Sequence, residues 1–264
     1  MKDYVFFIGP RKTGTTSFYE VLRQAGAPVS PTVKESFFFD QKAPDLQTYE
    51  ARYALNPDQP FAEISPSYFT SVDAIEHIHA NFPDAKIIIT LRDPLKRAMS
   101  ALSHVRRIGF VPENWNEDCS SSKHVTNILN ASNYKYFIDL WSDRFPGRVC
   151  VIKQVANGKY ERADIESVGN FIDVGINPDI FYETKANPAM EARSQAVSGL
   201  VQKMKTKLIK NGAFGALRFM KMFKPLFYRT QSKHSVDMDA VEFFSAQLWN
   251  QTEYFKNLKS VSFR

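Results

Sequence analysis

The sequence predicts an α/β fold with a central parallel sheet flanked by helices. Three short runs of apolar, mostly β-branched or aromatic residues read as buried strands: Tyr4–Ile8, Lys86–Leu91 and Val149–Lys153. Helix-length segments separate them, which is the alternation that builds a parallel sheet with helices on both faces. The 264 residues are 44% hydrophobic and 23% charged, enough apolar material for one sizeable core.

The elements follow in order. Gly9-Pro10 punctuates the first strand, and Thr15–Ala25 reads as a helix capped by Thr or Ser. Asp73–Phe82 is helical and Lys86–Leu91 is the second strand. Asp93-Pro94 opens a helix through Arg107, with Pro tolerated in a first turn. Phe110–Asn127 is polar and irregular, a loop that can lie over a site. Tyr134–Arg144 is a helix, Pro146-Gly147 a turn, Val149–Lys153 the third strand and Ile165–Ile172 a further helix. Beyond Ala186 the segments Val197–Leu208 and Ala213–Phe227 are helical and basic, and Asp237–Leu258 reads as one closing amphipathic helix. The expectation is a single domain, 1–264, with its core in about residues 1–185 and a helical C-terminal extension over about 186–264.

Net charge is +6, which suits phosphate, sulfate, anionic glycan, acidic lipid or nucleic acid without choosing among them. No interleaved basic and aromatic signature of nucleic-acid recognition is present, so nucleic acid is not an expected partner. The two cysteines, Cys119 and Cys150, offer neither a disulfide framework nor a zinc spacing, and Cys150 falls in an apolar run where a buried thiol is expected. No signal peptide precedes the first strand, and no apolar run reaches the roughly 18 residues of a membrane span. The chain therefore reads as cytoplasmic, membrane-peripheral if its basic tail meets acidic lipid. A piece cut from a membrane-anchored Golgi enzyme would read the same.

The first chemical motif is Gly9-Pro10-Arg11-Lys12-Thr13-Gly14-Thr15-Thr16-Ser17, between a strand and a helix. Backbone N–H groups and a helix N-terminus there make a cradle for an anion. Lys12 and Arg11 add positive charge, and Thr15, Thr16 and Ser17 add hydroxyls. It is not a Walker A loop, because Lys12 precedes Gly14 and Thr15 stands where the Walker Lys would be. The second motif is Arg92-Asp93-Pro94-Leu95-Lys96-Arg97-Ala98-Met99-Ser100. Arg92 ends a strand at the carboxyl edge, where open α/β sheets bind ligands. Ser100 lies two helical turns on, and the pair supplies a planar charged fork and a hydroxyl for a phosphate monoester. Arg97 reads either as a neighbour of that site or as a solvated helix charge.

Together these motifs resemble the 5′-phosphosulfate loop and the 3′-phosphate motif of sulfotransferases that use 3′-phosphoadenosine 5′-phosphosulfate (PAPS). The Arg-Lys-x-Gly-Thr loop is most similar to that of heparan-sulfate and related carbohydrate sulfotransferases and their bacterial relatives. The resemblance covers roughly residues 4–172. It implies a P-loop-like three-layer fold and PAPS as co-substrate, with no metal. It further implies that the 11–17 loop (Arg11, Lys12, Thr13, Gly14, Thr15, Thr16, Ser17) binds the 5′ side and that Arg92 and Ser100 bind the 3′-phosphate.

Two more segments carry the resemblance. Lys34-Glu35-Ser36-Phe37-Phe38-Phe39-Asp40 resembles the family's Lys-Glu-Pro-His-Phe-Phe-Asp, in which Glu is the general base. That role falls on Glu35, with Lys12 at the leaving 5′-phosphate. Ser36 replaces the family Pro and Phe37 the family His. Glu63-Ile64-Ser65-Pro66-Ser67-Tyr68-Phe69 resembles Glu-Lys-Ser-Pro-Xaa-Tyr-Phe, with Ile64 in place of Lys. Lys34, Asp40, Glu63 and Tyr68 are candidate acceptor contacts, Glu63 ranking below Glu35 as a base. A stretch around Asn187–Ser194 is similar to a late nucleotide-covering loop of bacterial members, which makes Lys185 and Arg193 candidates.

The expected reaction is in-line attack of an acceptor hydroxyl, of an anionic saccharide or glycolipid, on the sulfur of PAPS. The rivals are a P-loop nucleotide kinase or triphosphatase, and a non-enzymatic anion-binding module. The kinase reading lacks Gly-Lys-Ser/Thr and an acidic magnesium ligand after a strand. The binding module is favoured by a basic stretch that includes Lys203, Lys205, Lys207, Lys210, Arg218, Lys221, Lys224 and Arg229.

Overall fold

A computed structural model describes residues 4–27, 29, 34–53, 61–155, 159–183, 190–192, 195–222, 228–230 and 237–264. In chain order the elements are β1 (Tyr4–Phe7), α1 (Thr15–Gln24), α2 (Leu46–Tyr53), β2 (Phe61–Ile64), a 3₁₀ turn (Pro66–Thr70), α3 (Val72–Asn81), β3 (Lys86–Leu91) and α4 (Pro94–Arg107). Next come α5 (Glu117–Ser121), α6 (Lys123–Asn130), α7 (Tyr134–Arg144), β4 (Val149–Lys153), α8 (Arg162–Phe171), α9 (Pro178–Glu183) and β5 (Met190–Ala192). The chain then forms α10 (Gln195–Lys210), α11 (Phe214–Met222), β6 (Tyr228–Thr230), α12 (Met238–Gln247), α13 (Trp249–Asn257) and β7 (Val261–Phe263).

The chain divides into two compact units. The first holds Met1–Asp93, Asn133–Lys185 and Glu253–Arg264; the second holds Pro94–Ser132 and Ala186–Thr252. The first unit carries a five-stranded sheet in the order β2-β1-β3-β4-β7. Four strands are parallel, as the alternation predicts, with Phe6 opposite both Glu63 and Ile87, and Ile88 opposite Cys150. The edge strand β7 runs antiparallel, with Val261 opposite Ile152.

Strand alternation sends Val5, Phe7, Ile64, Ile88, Cys150 and Ile152 to one face, where Phe18 and Leu22 of α1, Val168 of α8 and Phe181 of α9 cover them. On the other face Phe6 meets the rings of Phe39 and Phe82, and Tyr4 also meets Phe82. Truncating a fully buried aromatic such as Phe18 to Ala costs about 3–5 kcal/mol. Cys150 is buried as expected.

The second unit has its own core, built from Leu102 of α4, Cys119 of α5, Val125 and Ile128 of α6, and Phe244 of α12. The polar stretch 110–127 is therefore not a plain loop. Two short helices form in it because Asn116 and Ser122 accept hydrogen bonds from the amides of Cys119 (3.0 Å) and Val125 (3.3 Å). The closing helix is two helices, α12 and α13, broken at Leu248, whose φ of −105° and ψ of 10° leave the helical region. Of the expected helix 213–227, residues 214–222 are helical and 223–227 lie outside the described residues. Lys203, Lys205, Lys207 and Arg218 are exposed, as are Leu200, Met204 and Phe219. Lys221, Lys224 and Arg229 lie outside the described side chains. Among the described residues, no helix is long and apolar enough to cross a membrane.

Candidate active site

The loop after β1 is shaped by close approach and left-handed backbone. A Cβ on Gly9 would lie 2.0 Å from Thr90 Oγ1 and 2.3 Å from Thr90 O, so only glycine lets the loop pass over β3. Lys12 has φ 79° and Gly14 φ 89°, and a turn of this kind gathers successive N–H groups into a concave anion nest. The carbonyls are tied back. Pro10 O accepts from Thr13 Oγ1 (2.7 Å), which also pairs with Thr90 Oγ1 (2.8 Å). Thr13 O accepts from Tyr160 OH (2.6 Å) and Gln154 Nε2 (3.2 Å), and Lys12 O from an Arg92 Nη (3.4 Å).

Gly14, not a Thr or Ser, is the N-cap of α1, and no side chain caps the helix. The Ser17 amide donates to Gly14 O (2.9 Å), which leaves the amides of Thr15 and Thr16, ahead of it in the first turn, as the ones suited to a ligand. Thr13 is buried with its hydroxyl committed inward. Thr16 is exposed, and Lys12 and Ser17 are half-buried. Thr15 is buried, and its Oγ1 accepts from Lys34 Nζ at 3.1 Å.

That last bond joins the acceptor segment to the loop. Lys34 Nζ also lies 3.2 Å from Glu35 Oε1, and Arg11 lies 3.4 Å from Glu35 Oε2. Arg11 further sits over the Phe37 ring, 5.8 Å from its centre. The sequence-predicted base is thus held against the loop after β1, between two cations. Asp40 is half-buried, and its Oδ1 has no hydrogen-bond partner among the described residues.

Glu63 and Tyr68 are placed otherwise than as surface contacts. Both are buried, and Tyr68 OH donates to Glu63 at 2.9 Å. Burial pushes the Glu63 carboxyl above the usual carboxylate range, although hydroxyls of Ser36, Ser65, Tyr49 and Tyr68 partly oppose this. Ile64 is buried in the core on the opposite face of β2, so nothing at that position supplies the charge of the family Lys.

Arg92 follows β3 and is half-buried. Its carbonyl accepts from Tyr134 OH at 2.8 Å, and its Nε has no hydrogen-bond partner among the described residues. A buried guanidinium nitrogen left over in this way suits an anionic ligand. Ser100 is half-buried on α4, in the second unit. Arg97, read as a neighbour of the site or a solvated charge, is neither. It is 1% exposed and donates to Ile128 O (2.5 Å) and Ser132 Oγ, tying α4 to the end of α6. Lys185 and Arg193 lie outside the described residues.

Sequence reasoning missed Tyr160, Gln154 and Thr90, which brace the loop. Thr90 was detectable as the one polar residue inside the apolar run of β3, and Gln154 by its place just beyond β4 at the carboxyl edge. Tyr160 carried no signal.

Residues 47–154 match the model of the sulfotransferase family. Human heparan sulfate glucosamine 3-O-sulfotransferase 6 is 35% identical over 99 residues, 35% of this chain and 28% of that protein. Mouse heparan sulfate glucosamine 3-O-sulfotransferase 5 is 32% identical over 102 residues, 37% of this chain and 29% of that protein. The matched region spans under a third of the length of these relatives. The solved structure of a sulfotransferase from Alicyclobacillus acidocaldarius superposes with a TM-score of 0.59 at 18% identity, covering 83% of this chain and 96% of that chain. What is shared with it is the fold. The sequence likeness to the sulfotransferase family lies within residues 47–154.

Proposed function

We propose that this protein transfers the sulfuryl group of PAPS to an acceptor hydroxyl, with Glu35 as general base. The observation that carries this is the ion-paired Glu35 beside a loop whose carbonyls are tied back and whose amides remain for an anion. The acceptor oxygen forms a bond to sulfur as the bond from sulfur to the 5′-phosphate oxygen breaks. The acceptor proton passes to Glu35, and 3′-phosphoadenosine 5′-phosphate (PAP) leaves. Lys12, the loop amides and the start of α1 complement the charge that grows on the departing phosphate. Lys34 supplies the cation that Ile64 does not, since it reaches both Thr15 and Glu35. Arg92, whose Nε has no hydrogen-bond partner among the described residues, is assigned to the 3′-phosphate. Asp40, with its unpartnered Oδ1, is the acceptor contact, and the likeness to the 3-O-sulfotransferases supports a saccharide or glycolipid acceptor.

The test is Glu35→Gln. PAP affinity, measured by calorimetry, stays near wild type, while release of PAP from PAPS slows by roughly 10²–10⁴. Wild-type turnover in this variant would move the base elsewhere. Tight binding of ATP-magnesium with indifference to PAP would favour the kinase reading.

A further inference from the structure

Glu63 is a carboxyl group buried to 3% exposure, and among the described residues its hydrogen-bond partners are hydroxyls rather than cations. Four hydroxyls replace the missing charge partner. Its Oε1 accepts from Ser36 Oγ, from Ser65 Oγ at 2.5 Å and from Tyr68 OH at 2.9 Å, and its Oε2 accepts from Tyr49 OH at 2.6 Å. A buried carboxyl is costly unless it is so satisfied, and an apolar side chain would fill an edge strand at lower cost.

What this hub holds is the backbone that follows Glu35. Ser36 N–H donates to Ser65 Oγ (3.3 Å), Phe38 N–H to Ser36 Oγ (3.1 Å) and Tyr68 OH (3.0 Å), and Phe39 N–H to Tyr68 OH (3.1 Å). Residues 36–39 belong to no helix or strand, and Phe37 has φ 55°. Side chains therefore do here what a regular ladder does elsewhere. Ser36, which stands where the related motif has Pro, both touches Glu63 and adjoins Glu35.

We propose that Glu63 is a positioning residue: through Ser36 and Tyr68 it fixes the 36–39 backbone and so aims Glu35 at the reacting hydroxyl. This rests on the assignment of Glu35 as base. It makes Ser36, Tyr68 and Glu63 one unit whose loss acts on turnover by way of Glu35.

The experiment uses the full chain with Ser36→Ala, Glu35→Gln and the double variant, with Tyr68→Phe as a second probe of the hub. Ser36→Ala leaves Glu63 three of its four hydroxyls, so the fold should persist. Three quantities are read: amide exchange over 36–39, PAP affinity, and PAP release from PAPS to water and to heparan sulfate. We expect exchange at 36–39 to rise about tenfold, PAP affinity to hold, and PAP release to fall about tenfold. In the Glu35→Gln background, Ser36→Ala should slow PAP release no further, a coupling that a merely structural role lacks. A tenfold loss in both backgrounds, or unchanged exchange in both Ser36→Ala and Tyr68→Phe, overturns the positioning role alone. Near-normal PAP release in Glu35→Gln overturns the base assignment and this role with it.

Discussion

Gly14 offers a sharp test of whether the loop geometry serves the nucleotide. Its φ of 89° and ψ of 13° lie in the left-handed region, where a non-glycine residue costs roughly 1–2 kcal/mol. A Cβ there would also lie 3.3 Å from Gln154 Nε2, the group that donates to Thr13 O, and 3.5 Å from the Tyr160 ring. Displacing Gln154 costs about one further hydrogen bond, so Gly14→Ala perturbs the loop by about 2–3 kcal/mol in all. Gly147 is the control. It has φ 72° in the turn before β4, and a Cβ there meets nothing within 4 Å. Gly147→Ala therefore carries the backbone cost alone, and it should appear as a lower Tm, about 2–4 °C for each kcal/mol, with PAP affinity intact. In Gly14→Ala the free loop relaxes and the ligand must restore it, so PAP affinity falls roughly thirty- to a hundredfold by calorimetry. If Gly14→Ala binds PAP like wild type and loses only as much Tm as Gly147→Ala, the loop geometry is not what holds the nucleotide.

Arg92→Ala should weaken binding of PAP by about tenfold to a hundredfold, and binding of the analogue lacking the 3′-phosphate far less, as read by parallel titrations. Equal losses would remove Arg92 from the 3′-phosphate. Asp237 caps α12 and pairs with Arg106 at 2.7 Å, both side chains being mostly buried. Burial alone would raise its pKa, but the Ala240 amide and Arg106 outweigh it and hold the carboxyl below its ordinary 3.8. A depressed folded-state pKa gives stability that is present above the unfolded value and lost as pH falls from there through the folded value. Asp237→Asn should therefore lower stability by about 2 kcal/mol at pH 7 and make progressively less difference below pH ~4 in thermal melts.

Strands β1, β3 and β4 were legible because each is buried on both faces and reads as a nearly continuous apolar run. Strand β2 was not, because Glu63 interrupts a run of four residues and hides its burial. Strand β7 was not, because three residues at the chain end carry too little pattern, and its antiparallel edge pairing is a tertiary event. Helices α5 and α6 were masked by the same polar residues, Asn116 and Ser122, that start them. The loop after β1 and Glu35 were singled out by residue type, and the structure places them side by side through Arg11 and Lys34. The braces behind them were not, since any buried donor of suitable length can hold a carbonyl. Arg97 shows the limit on the other side: charge and spacing cannot tell a guanidinium that ties two helices from one that waits for an anion.

The two halves of the candidate site are oriented by opposite use of the backbone. In the donor loop the carbonyls of Pro10, Lys12 and Thr13 are drawn inward, and what remains for a ligand is N–H. In the acceptor segment the amides of Ser36, Phe38 and Phe39 are drawn inward toward the Glu63 hub. Committing them to Ser65, Ser36 and Tyr68 leaves the segment next to the loop to act through side chains, with Glu35 between Arg11 and Lys34. A buried carboxyl thus anchors, through Ser36, Ser65 and Tyr68, a segment that has no secondary structure of its own.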